Sequence, residues 1–204
     1  MNIYLVRHGE TDWNLESKIQ GQTDTPLNEN GRKQARELAE KISAELCEIG
    51  SIYTSKKKRA LETAEIIGEK FSIVPIIHQG LEEICLGDWE GYTWKQVREV
   101  FSEEYQNWHQ NRRYQVPPGG ESYQQLLNRL LSAIDDIAQR EKKDTLLVTH
   151  SAVIMTLMSY IHDTPFEDMA KNYKTGNAVI VELPKELFYS RYLEEAAALK
   201  GSRT

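Results

Sequence analysis

Ile3-Tyr4-Leu5-Val6-Arg7-His8-Gly9-Glu10-Thr11 is the stretch from which the fold can be read: a β-rich apolar run delivers directly into a charged, glycine-containing segment. Four such residues suit one strand of a sheet covered on both faces. The pattern recurs at Thr145-Leu146-Leu147-Val148-Thr149-His150-Ser151. Two buried-looking strands therefore end in histidine. In open α/β sheets ligands bind beyond the carboxyl ends of the strands. If the two strands are neighbours, the imidazoles of His8 and His150 meet at that rim.

Between and around these runs, helical and extended signals alternate. Polar, glycine-containing sequence continues to Asn30-Gly31. From Arg32, Ala35, Leu38, Ala39, Ile42 and Leu46 then recur at helical spacing. Ser51 to Thr54 reads as a strand, and Ala60, Leu61, Ala64, Ile66 and Ile67 mark the helix after it. Ile73 to Ile77 reads as an edge strand, because Pro75 cannot donate to a central ladder. Residues 93 to 113 are expected to be helical, with Val97, Val100, Phe101, Tyr105 and Trp108 facing inward. Glu121 to Lys142 is amphipathic, Ala152 to Ile161 is a further helix, and Val179 to Leu183 a further strand. The tail from Phe188 to Leu199 fits either a strand or a helix. This alternation predicts a three-layer α/β/α fold with a mostly parallel central sheet. We expect one domain over residues 1–204, with 84–120 as a helical insertion over one edge of the sheet.

Composition narrows the function classes. A chain of 204 residues, 40% hydrophobic, can bury one proper core. Its net charge of −6 disfavours nucleic acid or an anionic membrane as partner. An anionic substrate would need positive charge gathered locally. Cys47 and Cys85 form no CxxC pair and read as free thiols. The sequence has neither an 18-residue apolar run nor a signal-like start, so a cytoplasmic location is expected. It also lacks a Walker loop, a dinucleotide glycine pattern and a metal-binding cluster, so no cofactor or metal is expected.

Arg7-His8-Gly9 points to a reaction class. Phosphomonoester dianions favour bidentate, permanently charged donors, which means arginine. A neutral imidazole can attack phosphorus when its other nitrogen is tied to a fixed acceptor. Arg59, after the strand ending Thr54-Ser55, offers a second guanidinium near a helix start. Lys56, Lys57 and Lys58 read as a solvated basic turn, and His78, His109 and His162 as ordinary hydrogen-bonded histidines.

With these residues in place, the chain resembles the histidine phosphatase superfamily, also called phosphoglycerate mutase-like, from about Asn2 to Leu183. The resemblance is carried by five blocks in family order. Arg7 to Asn14 leads, followed by Gln20-Gly21, Asp24, Pro26-Leu27, Gly31 and Gln34-Ala35. Tyr53-Thr54-Ser55 with Arg59-Ala60 and Thr63-Ala64 forms the second block. Leu81-Glu82-Glu83-Ile84 with Gly87 and Trp89-Glu90-Gly91 forms the third. Gly119 to Ser122 and Val148-Thr149-His150 complete the set. The resemblance implies that His8 takes the phosphoryl group, while Arg7, Arg59 and His150 grip its oxygens and Asn14 adds a neutral donor. It places Gln20 beside the phosphate or the attacking water. Glu83, four residues before Gly87, would be the general acid and base in preference to Glu82. Ser151 stands where the family usually has glycine; it is a small, N-cap-favouring residue expected at the pocket edge.

The resemblance leaves two reactions open: transfer of phosphate to water, and mutase-type transfer to a second hydroxyl. Only 35 residues separate Glu83 from Gly119, which suggests an open, phosphatase-like pocket. Arg112-Arg113 gives the contrary hint, because mutases place a substrate-binding arginine pair in a comparable region. A third reading is a non-catalytic phospholigand-binding protein, which the intact His8, arginines and Glu83 disfavour. The expected partner is a small phosphomonoester, and a monomer or homodimer is expected. Trp89, Trp94, Trp108 and Tyr92 are further candidates for lining the pocket, although aromatic core packing is the commoner role of tryptophan.

Overall fold

The computed structural model describes residues 1–46, 48–183, 186, 188–190 and 192. Cys47 and most of the tail, whose strand-or-helix choice the sequence leaves open, lie outside the described residues. In chain order come β1 (Ile3–Arg7), α1 (Asp12–Leu15), α2 (Glu29–Glu45), β2 (Ile49–Thr54) and α3 (Lys58–Phe71). They are followed by β3 (Ile76–Ile77), α4 (Trp94–Val100), α5 (Ser102–Gln110), α6 (Tyr123–Arg140), β4 (Asp144–Thr149), α7 (Ser151–Ile161), α8 (Met169–Tyr173) and β5 (Ile180–Glu182).

The strands form one sheet in the order β3-β2-β4-β1-β5. β1, β2, β3 and β4 run parallel, and β5 closes one edge antiparallel to β1. The first and fourth strands are thus neighbours, in a register that sets Arg7 beside Thr149. One residue further on, His8 and His150 leave the sheet side by side.

Side-chain alternation along each strand builds two cores. Ile3, Leu5, Tyr53 and Leu147 pack with Leu126, Leu127 and Leu130 of α6 and Val153 and Leu157 of α7. Tyr4, Val6, Ile52, Leu146 and Val148 face the other way, onto Leu38 and Ile42 of α2 and Ala60, Ala64 and Ile67 of α3. The result is a sheet between two helical layers, the three-layer α/β/α arrangement expected. Each aliphatic side chain buried in this way contributes roughly 1.5–3 kcal/mol, so the strand ends are held on a stiff frame.

Three local readings need correction. Helix α2 begins three residues before Arg32, because Asn28 caps it by accepting from the Gly31 amide at 2.8 Å. Gly31 therefore belongs to the helix. A Cβ there would lie 2.1 Å from the Glu10 carbonyl oxygen, and one on Gly9 would lie 2.5 Å from the Gly31 carbonyl oxygen, so both glycines serve close approach of α2 to the loop after β1. The edge strand expected over Ile73 to Ile77 pairs with β2 only at Ile76 and Ile77. The helix expected over 93–113 is two helices, broken at Phe101 where the backbone leaves helical geometry (φ −115°, ψ 44°). That break turns Val100 outward, 62% exposed, while Val97 and Trp108 stay buried.

Candidate active site

Beyond the carboxyl ends of β1, β2 and β4 lies a cavity of about 310 Å³. Arg7, His8, Asn14, Gln20, Arg59, Glu83 and Ser151, all read from sequence as site residues, line it together. His150 sits behind them, fully buried, with its ring centroid 5.3 Å from that of His8.

The backbone fixes the His8 imidazole. Its Nδ1 lies 2.6 Å from the carbonyl oxygen of Gly9. A carbonyl only accepts, so Nδ1 carries the proton and Nε2 keeps its lone pair. The loop itself is held from two sides. Thr63 Oγ1 in α3 accepts from the Gly9 amide at 3.0 Å, and Asn177 Nδ2 donates to the carbonyls of His8 and Gly9 at 3.1 and 3.2 Å. Burial, then the charges of Arg59 and Arg7, hold His8 well below its ordinary value of 6.5, so the ring is neutral near neutral pH. His150 is lowered well below 6.5 by burial and Arg59 in the same order. Ser55 Oγ lies 2.8 Å from His150 Nε2.

The two guanidiniums are partly committed to the protein and partly not. Arg59 donates from Nη1 to the Thr23 carbonyl and from Nη2 to the Gly21 carbonyl, both at 2.8 Å. Arg7 Nη1 donates to the Thr175 carbonyl at 2.5 Å. Arg7 Nε, Arg59 Nε and His150 Nδ1 are buried without a protein partner. An unsatisfied buried donor costs about 1–3 kcal/mol, more when charged, so a further acceptor for these nitrogens would be stabilising. Asn14 Oδ1 accepts from Thr11 and Asn177, which leaves its Nδ2 as the free end. Gln20 is oriented likewise, its Oε1 accepting from Thr25 at 2.5 Å.

Of the adjacent carboxylates, Glu83 faces the cavity and Glu82 does not. Glu82 turns back to the Gly80 amide and Arg129. Glu83 accepts from its neighbour's amide, Ile84, at 3.0 Å and from Ala152, in the first turn of α7, at 3.4 Å. Loss of hydration raises Glu83 above its ordinary 4.5 and outweighs the opposing pull of Arg59, the two amides and Arg7.

Arg112 and Arg113 do not join this group. The Arg112 guanidinium stacks over Trp108 at 4.5 Å, and Arg113 donates to Gln124 at 2.7 Å and lies over Phe166. Trp94 lines the cavity, whereas Trp89 and Trp108 are core residues packed behind Trp94. Among the described residues, no three His, Cys, Asp or Glu side chains are grouped to hold a metal ion. No described helix is long and apolar enough to cross a membrane.

Two neutral, strand-terminal imidazoles, two arginines and a carboxyl whose proton affinity is raised by burial, grouped around one cavity, suit phosphoryl chemistry. Residues 3–187 match the histidine phosphatase superfamily (branch 1). The chain belongs to that superfamily. Phosphoglycerate mutase-like protein 4 of Arabidopsis thaliana is 40% identical over 158 residues, covering 76% of this chain and 68% of that protein. The metal-independent phosphoserine phosphatase of the same plant is 37% identical over 158 residues, covering 76% of this chain and 66% of its own length. The chain thus matches about two thirds of each plant relative. Among solved structures, a mycobacterial glucosyl-3-phosphoglycerate phosphatase complexed with VO3 superposes with a TM-score of 0.79 at 30% identity, over 89% of this chain and 92% of that one. Relatives of this superfamily bearing phosphatase names support a phosphatase enzyme.

Sequence reasoning assigned no role to Thr63, Asn177 or the cavity residues Lys18, Tyr123, Met155 and Lys174. Thr63 falls in the second sequence block, with Arg59-Ala60, so its signal is present in the sequence. Asn177 had none: it arrives from a loop before an edge strand, and only the fold puts it against the loop after β1.

Proposed function

We propose that this chain hydrolyses small phosphomonoesters through a phosphohistidine formed on His8, without a metal. The reading rests on one observation: His8 Nδ1 is locked to the Gly9 carbonyl, which leaves Nε2 as a neutral nucleophile among buried, unpartnered cationic donors.

In this scheme the phosphoryl group enters between Arg7 and Arg59, whose remaining donors meet its oxygens. His150 presents Nδ1–H to the same group while Ser55 donates to its Nε2, and Asn14 and Gln20 add amide donors. Nε2 of His8 forms a bond to phosphorus in line with the departing ester oxygen. As the P–O bond breaks, protonated Glu83 gives its proton to the leaving alkoxide. Water then loses a proton to the Glu83 carboxylate and attacks phosphorus, the P–N bond breaks, and orthophosphate leaves. The charge that spreads over the oxygens meets preorganised donors, each worth about 2.7–4 kcal/mol. Residues 84–120 act as the insertion that bounds the leaving-group side. Transfer to a second hydroxyl draws no support from Arg112 and Arg113, which are engaged with Trp108 and Gln124.

The test is a phosphate-release screen over a metabolite panel with and without a chelator, coupled to acid-quench trapping of labelled enzyme. We expect chelator-insensitive release and an acid-labile phosphoenzyme. His8→Ala should lose both, with turnover down at least about 10⁴-fold. Turnover that survives in His8→Ala would refute the scheme.

A further inference from the structure

Glu90 touches neither the cavity nor any arginine, yet four neutral donors converge on its carboxylate. Oε1 accepts from the Gln22 amide at 2.9 Å and the Leu86 amide at 3.2 Å. Oε2 accepts from the Thr23 amide at 2.9 Å and the Thr23 hydroxyl at 2.8 Å. Among the described residues it makes no ion pair. A carboxylate held by neutral donors away from the reaction calls for an explanation in terms of what those donors do next.

The answer lies in the peptide units they belong to. The Gln22 N–H shares one planar unit with the Gly21 carbonyl, and the Thr23 N–H shares the next with the Gln22 carbonyl. In a trans peptide the N–H and C=O point in opposite directions. Fixing both N–H groups on Glu90 therefore aims both carbonyls away from it. The Gly21 carbonyl meets Arg59 Nη2 at 2.8 Å, and the Gln22 carbonyl meets Lys57 Nζ. The Thr23 carbonyl, on the far side of the same anchored residue, meets Arg59 Nη1 at 2.8 Å. Gly21 adopts φ +48°, and a Cβ there would lie 2.1 Å from Glu90 Oε1, so the loop passes as close to the carboxylate as glycine allows.

We propose that Glu90 is a positioning residue for Arg59, acting through these peptide units. The inference rests on Arg59 being a phosphate-gripping residue. An anion on the N–H side of a peptide polarises its carbonyl and strengthens the bond on the other side. A carboxylate placed directly on Arg59 would neutralise the guanidinium and cap the donors a phosphoryl group needs. Set one peptide away, it orients Arg59, whose Nη atoms are held by carbonyls, and leaves Nε without a protein partner.

A double-mutant cycle with orthovanadate as an equilibrium probe separates this from a purely structural role. Glu90→Ala should weaken vanadate binding about tenfold, the size of coupling expected between residues of one hydrogen-bond network. Glu90→Gln keeps one acceptor and should fall in between. In an Arg59→Met background the same Glu90 substitutions should change vanadate affinity less than twofold. Equal losses with and without Arg59, at unchanged circular dichroism, would overturn the proposal. So would wild-type affinity in Glu90→Ala. Vanadate binding needs no turnover, so a chain that bound vanadate normally but hydrolysed no ester would count against the hydrolytic scheme and leave the Glu90 result readable.

Discussion

The floor and the outer wall of the cavity are built on opposite plans. On the floor, the imidazoles, amides and guanidiniums each have one part tied to backbone or to a buried hydroxyl and another part left free, while both Glu83 oxygens accept from amides. His8 leans on the Gly9 carbonyl, His150 on Ser55 and Arg59 on the 21–23 loop. The wall is aromatic: Trp94 stacks on Trp108 at 5.5 Å, Trp108 meets Trp89 edge-on at 5.2 Å, and Tyr105 and Tyr123 complete the cluster. The floor stores unsatisfied donors where a charged group will come, and its stiffness comes from strands on either side. The wall stores apolar area and can be reshaped without touching the floor. Such an arrangement would house chemistry and selectivity in separable parts.

That separation is open to test, and its largest expected effect falls on the floor. Glu83→Gln removes the transferable proton while keeping the shape. Alkyl phosphates, whose leaving groups need protonation, should slow about 10²–10⁴-fold. p-Nitrophenyl phosphate, which leaves unaided, should lose far less in its first step. Equal slowing of both, measured as kcat/KM, would show that Glu83 does not act as an acid. On the wall the matching change is Trp108→Ala, at a side chain only 2% exposed. Removing a buried aromatic costs about 3–5 kcal/mol of stability, read from denaturant melts. The folded fraction should keep its kcat on p-nitrophenyl phosphate. A large kcat loss there would join wall and floor into one machine.

A smaller effect follows from the two opposed proton affinities on the floor. Free His and Glu side chains titrate in the wrong order for this reaction, near 6.5 and 4.5, so neutral imidazole and protonated carboxyl would hardly coexist. Burial lowers His8 and raises Glu83, which brings the required pair of forms together. For kcat/KM the acid limb, protonation of His8, should therefore lie below pH 6.5. The alkaline limb, ionisation of Glu83, should lie above pH 4.5, with a tenfold fall per unit at each edge. Glu83→Gln should abolish the alkaline limb alone. An alkaline limb that persists in that variant belongs to another group.

The same contrast explains what could be read from the sequence. The floor was legible because its residues follow strands whose apolar runs are unmistakable. Arg7-His8 and Thr149-His150 are carried by β1 and β4, and once those strands pair, the imidazoles must meet. Preferring Glu83 to Glu82 rested on the family resemblance, which places its acid four residues before Gly87; spacing without it decides nothing. The supports were harder. Asn177 and Glu90 act through backbone groups of distant loops, and no local pattern shows which loop a side chain will find. Arg112-Arg113 stayed open because two charged residues beside an aromatic helix look alike whether they face a ligand, end a helix or stack on Trp108. Val100 misled because a single helical period was extended across Phe101, where the backbone turns.

Trp94→Ala carries the smallest expected effect and the sharpest test of the wall. Trp94 lines the cavity with 36% of its surface still exposed, and Trp108 already stacks beside it. In the proposed scheme its remaining surface would meet the organic part of an ester. An aromatic contact of this kind is worth about 0.5–1.5 kcal/mol, so KM for bulky or aromatic esters should rise about two- to tenfold. Such a contact exists equally in the ground and transition states, so kcat should stay put. The smallest phosphomonoesters and orthophosphate inhibition should not respond at all. A uniform drop in kcat across esters of every size would mean that Trp94 shapes the reacting geometry, and the division between floor and wall would fail.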